Sequence, residues 1–99
     1  MTIHFSPKAI SEINAIYKYL FENFGEKVAD EKKDKIHDYI DKLADNPFMG
    51  HSIDGKDKNL RLLSVPPCVV VYDINDQIIE IVHIVDARTD YIKNLLLNQ

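Results

Sequence analysis

The run CVVVYDINDQIIEIVHIV, residues 68–85, decides the fold of this chain. Val, Ile and Tyr crowd both of its halves, and Asn75-Asp76 between them is a two-residue hairpin signal of the primed kind. Pairing across that turn sets Tyr72 beside Ile79, Val70 beside Ile81 and Cys68 beside His83 on one face. Val69, Val71, Asp73, Ile78, Glu80 and Val82 then fall on the other. Both faces are largely apolar, which is the pattern of strands covered on both sides.

Working outward, LRLLSV at 60–65 is a third β-rich run, set off by Pro66-Pro67. Before it, NPFMGHSIDGKDKN at 46–59 carries the Pro, Gly and polar residues of a loop, and His51 within it is expected to be exposed and idle. Further upstream the apolar period changes from two to 3.6. Ser6 and Pro7 supply an N-cap and a first helical residue, and Ile10, Ile13, Ile16, Tyr17, Leu20, Phe21 and Phe24 form one greasy helix face up to Gly25. A second helix runs from Glu26 to about Asp45, with Val28, Ala29, Ile36, Tyr39, Ile40 and Leu43 on one side. Its charged stripe, EKVADEKKDK, reads as a solvated face with i,i+4 pairs. Asn46-Pro47 stops it. TIHF at 2–5 reads as a short strand, and Tyr91, Ile92, Leu95 and Leu96 as a short C-terminal helix.

The order is therefore β-α-α-β-β-β, an α+β class in which a helical hairpin packs on one face of a mostly antiparallel four-stranded sheet. The second face needs a cover, either residues 91–97 folding back or a partner chain. The 99 residues are enough for one domain, 1–99, and too few for two. No stretch approaches the ~20 apolar residues of a membrane span, and MTIHFSPK has no signal-peptide character. A single cysteine, Cys68, excludes an internal disulfide and suits the cytoplasm.

Sixteen acidic against twelve basic side chains, a net charge of −4, argue against a protein that lives on phosphate contacts. The balance is even along the chain, with seven basic and nine acidic groups in residues 1–50 and five and seven in residues 51–99. Neither half is a basic platform. Cys68 and His83 as neighbours are too few for a metal site, and no cofactor is expected.

Seven short markers in order make the chain resemble the RelE/ParE superfamily, the toxins of type II toxin–antitoxin modules. They are Ser-Pro-x-Ala at 6–9, I-x-x-Y-L at 16–20, Gly25 at the hairpin tip, L-A-x-x-P-x-x-G at 43–50, Arg61 opening a strand, V-V-Y at 70–72 and A-R-x-D at 87–90. The resemblance implies a growth-inhibiting toxin of the plasmid stabilisation type, neutralised by a cognate antitoxin, as a homodimer or as a heterotetramer with that antitoxin. RelE-like members are ribosome-dependent messenger-RNA endoribonucleases whose basic side chains converge on the phosphate. On that reading Arg61 and Arg88 contact phosphate, Tyr91 or His83 assists proton transfer, and Lys56 and Lys58 lie nearby. Val69 stands where such members carry a further arginine. ParE-like members lack the ribonuclease set, have a longer helical hairpin and inhibit DNA gyrase. The long first helix and the bare sheet favour this ParE-like branch and a noncatalytic inhibitor. The endoribonuclease is the alternative, and an inactive toxin that only binds antitoxin is a third reading.

Ordinary structural roles compete for the same residues. His83 reads equally as a half-buried strand residue, Arg88 as the ion-pair partner of Asp86 and Asp90, Tyr91 as a packing group and Arg61 as a partner for Asp73 or Glu80.

Overall fold

A computed structural model of the chain describes residues 1–53 and 60–87. The elements are β1 (Thr2–Phe5), α1 (Pro7–Phe24), α2 (Glu26–Lys42), β2 (His51–Ser52), β3 (Leu60–Val65), β4 (Cys68–Asn75) and β5 (Ile78–Asp86). Among the described residues the sheet has five strands in the order β1-β5-β4-β3-β2, one more than the sequence predicts. The addition is the two-residue β2, in which His51 and Ser52 pair with Leu62 and Arg61. A piece this short has no periodicity to betray it. Of the strand pairs among the described residues only β1–β5 is parallel.

The helix boundaries follow local chemistry. Ser6 sits in extended conformation and its Oγ accepts the Ala9 N–H at 3.0 Å, with Pro7 in the first turn where no N–H is needed. At the other end Gly25 has φ 91° and ψ 170°, a backbone region open essentially to glycine alone. Its N–H donates to Phe21 O at 3.0 Å, closing α1, and α2 begins at the next residue. Hence the hairpin turns in one residue.

Ala9, Ile13 and Leu20 of α1, and Ala29, Ile36 and Ile40 of α2 with Leu43 behind it, are buried. The apolar stripe of α1 is narrower than the sequence suggests. Ile10, Phe21 and Phe24 are 49%, 47% and 59% exposed, because the stripe facing the sheet steps 9, 13, 16, 20 and these three lie off that line. The outer face of α2 differs as well. Among the described residues no lysine of α2 pairs with a carboxylate within 4.0 Å. Instead Lys33 lies over the Tyr17 ring and Lys42 over the Tyr39 ring, at 5.1 and 4.6 Å from the centroids.

The β4–β5 hairpin turns at Asp76-Gln77, one residue on from the expected Asn75-Asp76, which moves each pairing partner by two, with Asp76 at φ 52°. Tyr72 is opposite Ile81, and Asn75 is opposite Ile78. A shift of two residues leaves every side chain on its face, so apolar patterning cannot distinguish the two registers. Cys68, Val70, Tyr72, Ile79 and Ile81 accordingly share one core as expected. Past Ile81 a bulge inserts Val82, and Val71 then pairs with His83 and Val70 with Ile84. The extra residue brings Ile84 into the core and places His83 opposite Val71, while Cys68 pairs with Asp86. Cys68 and His83 are therefore not neighbours.

On the second face Val69 and Val71 are buried, with half-buried Leu60, Leu62 and Val85 packed against them. The expected cover from residues 91–97 and the expected C-terminal helix lie outside the described residues.

Candidate functional site

Of the four residues singled out from the sequence, Arg61 and His83 lie on described strands, and Arg88 and Tyr91 lie outside the described residues, as do Lys56 and Lys58. The two that can be placed occupy separate settings. Arg61 is on β3 near the end of the α2–β2 loop; His83 is on β5 against α1.

Arg61 holds a turn. Its Nε and Nη2 donate to Gly50 O at 3.0 and 2.7 Å, and Nη2 also donates to Phe48 O at 3.2 Å. The guanidinium lies 5.1 Å from the Phe48 ring centroid, within cation–π range. The expected partners Asp73 and Glu80 are not the ones used. Opposite Arg61 on β4 is Tyr72, fully buried, whose hydroxyl donates to Pro47 O at 2.8 Å and accepts the Gly50 N–H at 2.9 Å. A buried phenol needs a partner for its hydroxyl, and here one group satisfies both an N–H and a carbonyl. Gly50 has no room for a side chain, since a Cβ would come within 2.6 Å of Leu62 O and 2.7 Å of Tyr72 Oη. The Pro-x-x-Gly spacing at 47–50 is the sequence trace of this clamp, though nothing in it names Arg61 or Tyr72 as the fasteners.

The clamped turn carries Phe48, 69% exposed, and Met49, 41% exposed. Both fall in the segment 46–59 that the sequence marks as a loop. With Asp45, Asn46 and Pro47 they line a shallow hollow of about 600 Å³.

His83 belongs to the seam between α1 and the edge of β5. Strand β1 pairs with β5 only as far as Phe5 and Ile81. Beyond that point the first turns of α1 take over the edge. Ser6 N–H donates to Ile81 O at 3.0 Å, Ser6 Oγ donates to Val82 O at 2.8 Å, and Glu12 Oε1 accepts the Ile84 N–H at 3.1 Å. The same Oε1 lies 3.2 Å from His83 Nδ1. Glu12 thus caps the strand edge just past the bulge, a role that its place on a helix does not reveal.

A second apolar hollow, about 590 Å³, opens between the distal half of α1 and the start of β4. Ile16, Tyr19, Leu20, Phe24, Pro67 and Cys68 line it. Burial, and secondarily the Asp86 charge, pushes the Cys68 thiol up to about 11. It stays protonated near neutrality, so it is poorly suited to nucleophilic or redox chemistry. On the hairpin, the Tyr17 hydroxyl donates to Asp30 Oδ1 at 2.7 Å, and this bond is the main cause of its raised pKa.

A two-helix hairpin laid on a sheet ordered β1-β5-β4-β3-β2 is the fold of the RelE/ParE superfamily of toxins. The chain belongs to the family described as ParE toxin of type II toxin-antitoxin system, parDE, whose model matches residues 3–91. It is 29% identical over 77 residues to the toxin ParE3 of Caulobacter vibrioides, covering 78% of this chain and 77% of that protein. Its fold is similar to the chromosomal ParDE toxin–antitoxin system from P. aeruginosa, with a TM-score of 0.75 at 19% identity, covering 87% of this chain and 95% of that one. It is also similar to the YoeB dimer from Staphylococcus aureus, with a TM-score of 0.60 at 19% identity over 90% and 98% of the two chains. No helix among the described residues is long and apolar enough to cross a membrane.

Proposed function

We propose that this type II toxin acts as a single cytoplasmic domain by binding an essential protein target, DNA gyrase on the ParE-like reading, without catalysis, and that a cognate antitoxin neutralises it by masking its surface. The observation that carries this reading is the engagement of Arg61. A phosphate-contacting arginine offers its fork to solvent, whereas three N–H bonds of Arg61 go to the carbonyls of Gly50 and Phe48. His83 likewise faces a carboxylate, Glu12, at 3.2 Å. The acidic balance of the chain supports the same conclusion. An antitoxin partner is supported by the family and by a fold neighbour described as a heterotetrameric YoeB-YefM toxin-antitoxin complex.

The test is inhibition of gyrase supercoiling by the purified chain, with a parallel assay of messenger-RNA cleavage on ribosomes. Inhibition that a cognate antitoxin relieves is expected. Cleavage of ribosome-bound RNA with gyrase untouched would replace this reading with the endoribonuclease.

A further inference from the structure

We infer that the turn at residues 47–50 is the target-contact point of the toxin, with Phe48 as the anchor and Arg61 as the residue that positions it. The partner it fits is a protein surface with a small apolar pocket rimmed by Lys or Arg. The inference rests on the reading of the chain as a noncatalytic inhibitor.

Phe48 is the most exposed large apolar side chain among the described residues. Exposure alone would say little. What sets Phe48 apart is that its backbone is immobilised from beneath: Arg61 donates to Phe48 O and Gly50 O, and Tyr72 engages Pro47 O and the Gly50 N–H. The guanidinium carbon also lies 5.1 Å from the centroid of the ring itself. A solvent-exposed aromatic on a turn held by five hydrogen bonds, with a cation beside its ring, loses little freedom when it enters a pocket, which is the condition for a binding hot spot.

Charge selects the class of partner. Among the described residues the ionisable side chain lining the hollow is Asp45, and the Arg61 guanidinium is held beside the Phe48 ring. A nucleic-acid backbone would meet a carboxylate there and find the donors of Arg61 turned toward carbonyls, so a phosphate ligand is disfavoured. A protein partner satisfies Asp45 with a cation and Phe48 and Met49 with an apolar pocket. The hollow beside α1 is a separate surface, lined by α1 and the start of β4, whereas residues 47–50 present Phe48 on a turn.

The experiment compares the full chain with Phe48→Ala, Arg61→Lys, the double variant and Phe21→Ala in gyrase supercoiling and in growth arrest on induction. Melting curves and antitoxin binding are measured for each. Phe48→Ala should raise the half-inhibitory concentration at least tenfold with an unchanged melting temperature. Arg61→Lys keeps the charge but loses the fork; it should lose comparable potency and add little to Phe48→Ala, because it acts through Phe48. Phe21→Ala, another exposed aromatic, should stay within twofold of the parent. Wild-type potency in Phe48→Ala overturns the inference, as does loss of antitoxin binding with inhibition intact. If the parent chain arrests growth but leaves gyrase untouched, the choice of gyrase fails and arrest becomes the readout: its loss in Phe48→Ala sustains the surface, and its retention overturns it. A parent chain with neither activity overturns both readings.

Discussion

Arg61 grips the Gly50 carbonyl oxygen from two nitrogens, Nε at 3.0 Å and Nη2 at 2.7 Å, and so ties the β3 strand to the end of the α2–β2 loop. The loop is held where a helix, a two-residue strand and a buried tyrosine meet. Its order is therefore a property of tertiary contacts, and the substitutions below separate those contacts one at a time.

Tyr72→Phe keeps the ring in the core and removes one oxygen. The Gly50 N–H and the Pro47 carbonyl then lose their shared partner. Leaving buried polar groups unpaired costs about 1–3 kcal/mol, so urea denaturation should show a loss of that order with the slope unchanged. Gly50→Ala should cost at least as much, because the added carbon meets Leu62 backbone at 2.6 Å.

Gly25→Ala tests the hairpin tip. Nothing lies within 4 Å of the position a Cβ would take, so the penalty is conformational alone. A residue forced to φ 91° and ψ 170° is destabilised by about 1–3 kcal/mol. The melting temperature should fall, while far-ultraviolet circular dichroism below the transition stays that of the parent.

Glu12→Ala should loosen the α1–β5 seam. It leaves the Ile84 N–H without its acceptor just past the bulge, at a cost of about 1–3 kcal/mol. Hydrogen exchange at the Ile84 amide should quicken far more than at Val70, which lies on the neighbouring central strand. Equal quickening at both would show that the seam does not open locally.

Cys68 gives the chain an alkaline liability. Its thiol is raised from the ordinary 9.0 to about 11 in the folded state, first by burial and then by Asp86. Between those values the unfolded chain releases the proton and the folded chain retains it. Stability is thus full below about pH 9 and declines as pH rises toward 11. Unfolding free energies of the parent should fall over that window more steeply than those of Cys68→Ala. A thiol reagent at pH 8 should label native protein far more slowly than urea-unfolded protein.

Local chemistry along the chain is enough for the fold class and for the order of every described element but β2. Ser6-Pro7, Gly25 and Asn46-Pro47 act locally, through a cap, a backbone conformation and a steric restriction, and each marks a helix boundary to within a few residues. The apolar runs at 60–65, 68–74 and 78–85 likewise announce strands, since β-branched residues at short period suit little else. The family markers were legible for the same reason, being local spacings.

Tertiary structure alone decided the register, the fifth strand and the roles of the polar groups. A period of two cannot distinguish Asn75-Asp76 from Asp76-Gln77 as the turn, and nothing in IIEIVHIV says that Val82 bulges and reverses the facing of His83 and Ile84. Arg61 and Gly50 are eleven positions apart, Tyr72 and Pro47 twenty-five, and Glu12 and Ile84 seventy-two. Such bonds form only where the packed core brings distant backbone into reach. Whether a charged side chain meets solvent or a carbonyl is therefore a consequence of the fold, and it is the fold that sets the Arg61 guanidinium against the carbonyls of Gly50 and Phe48.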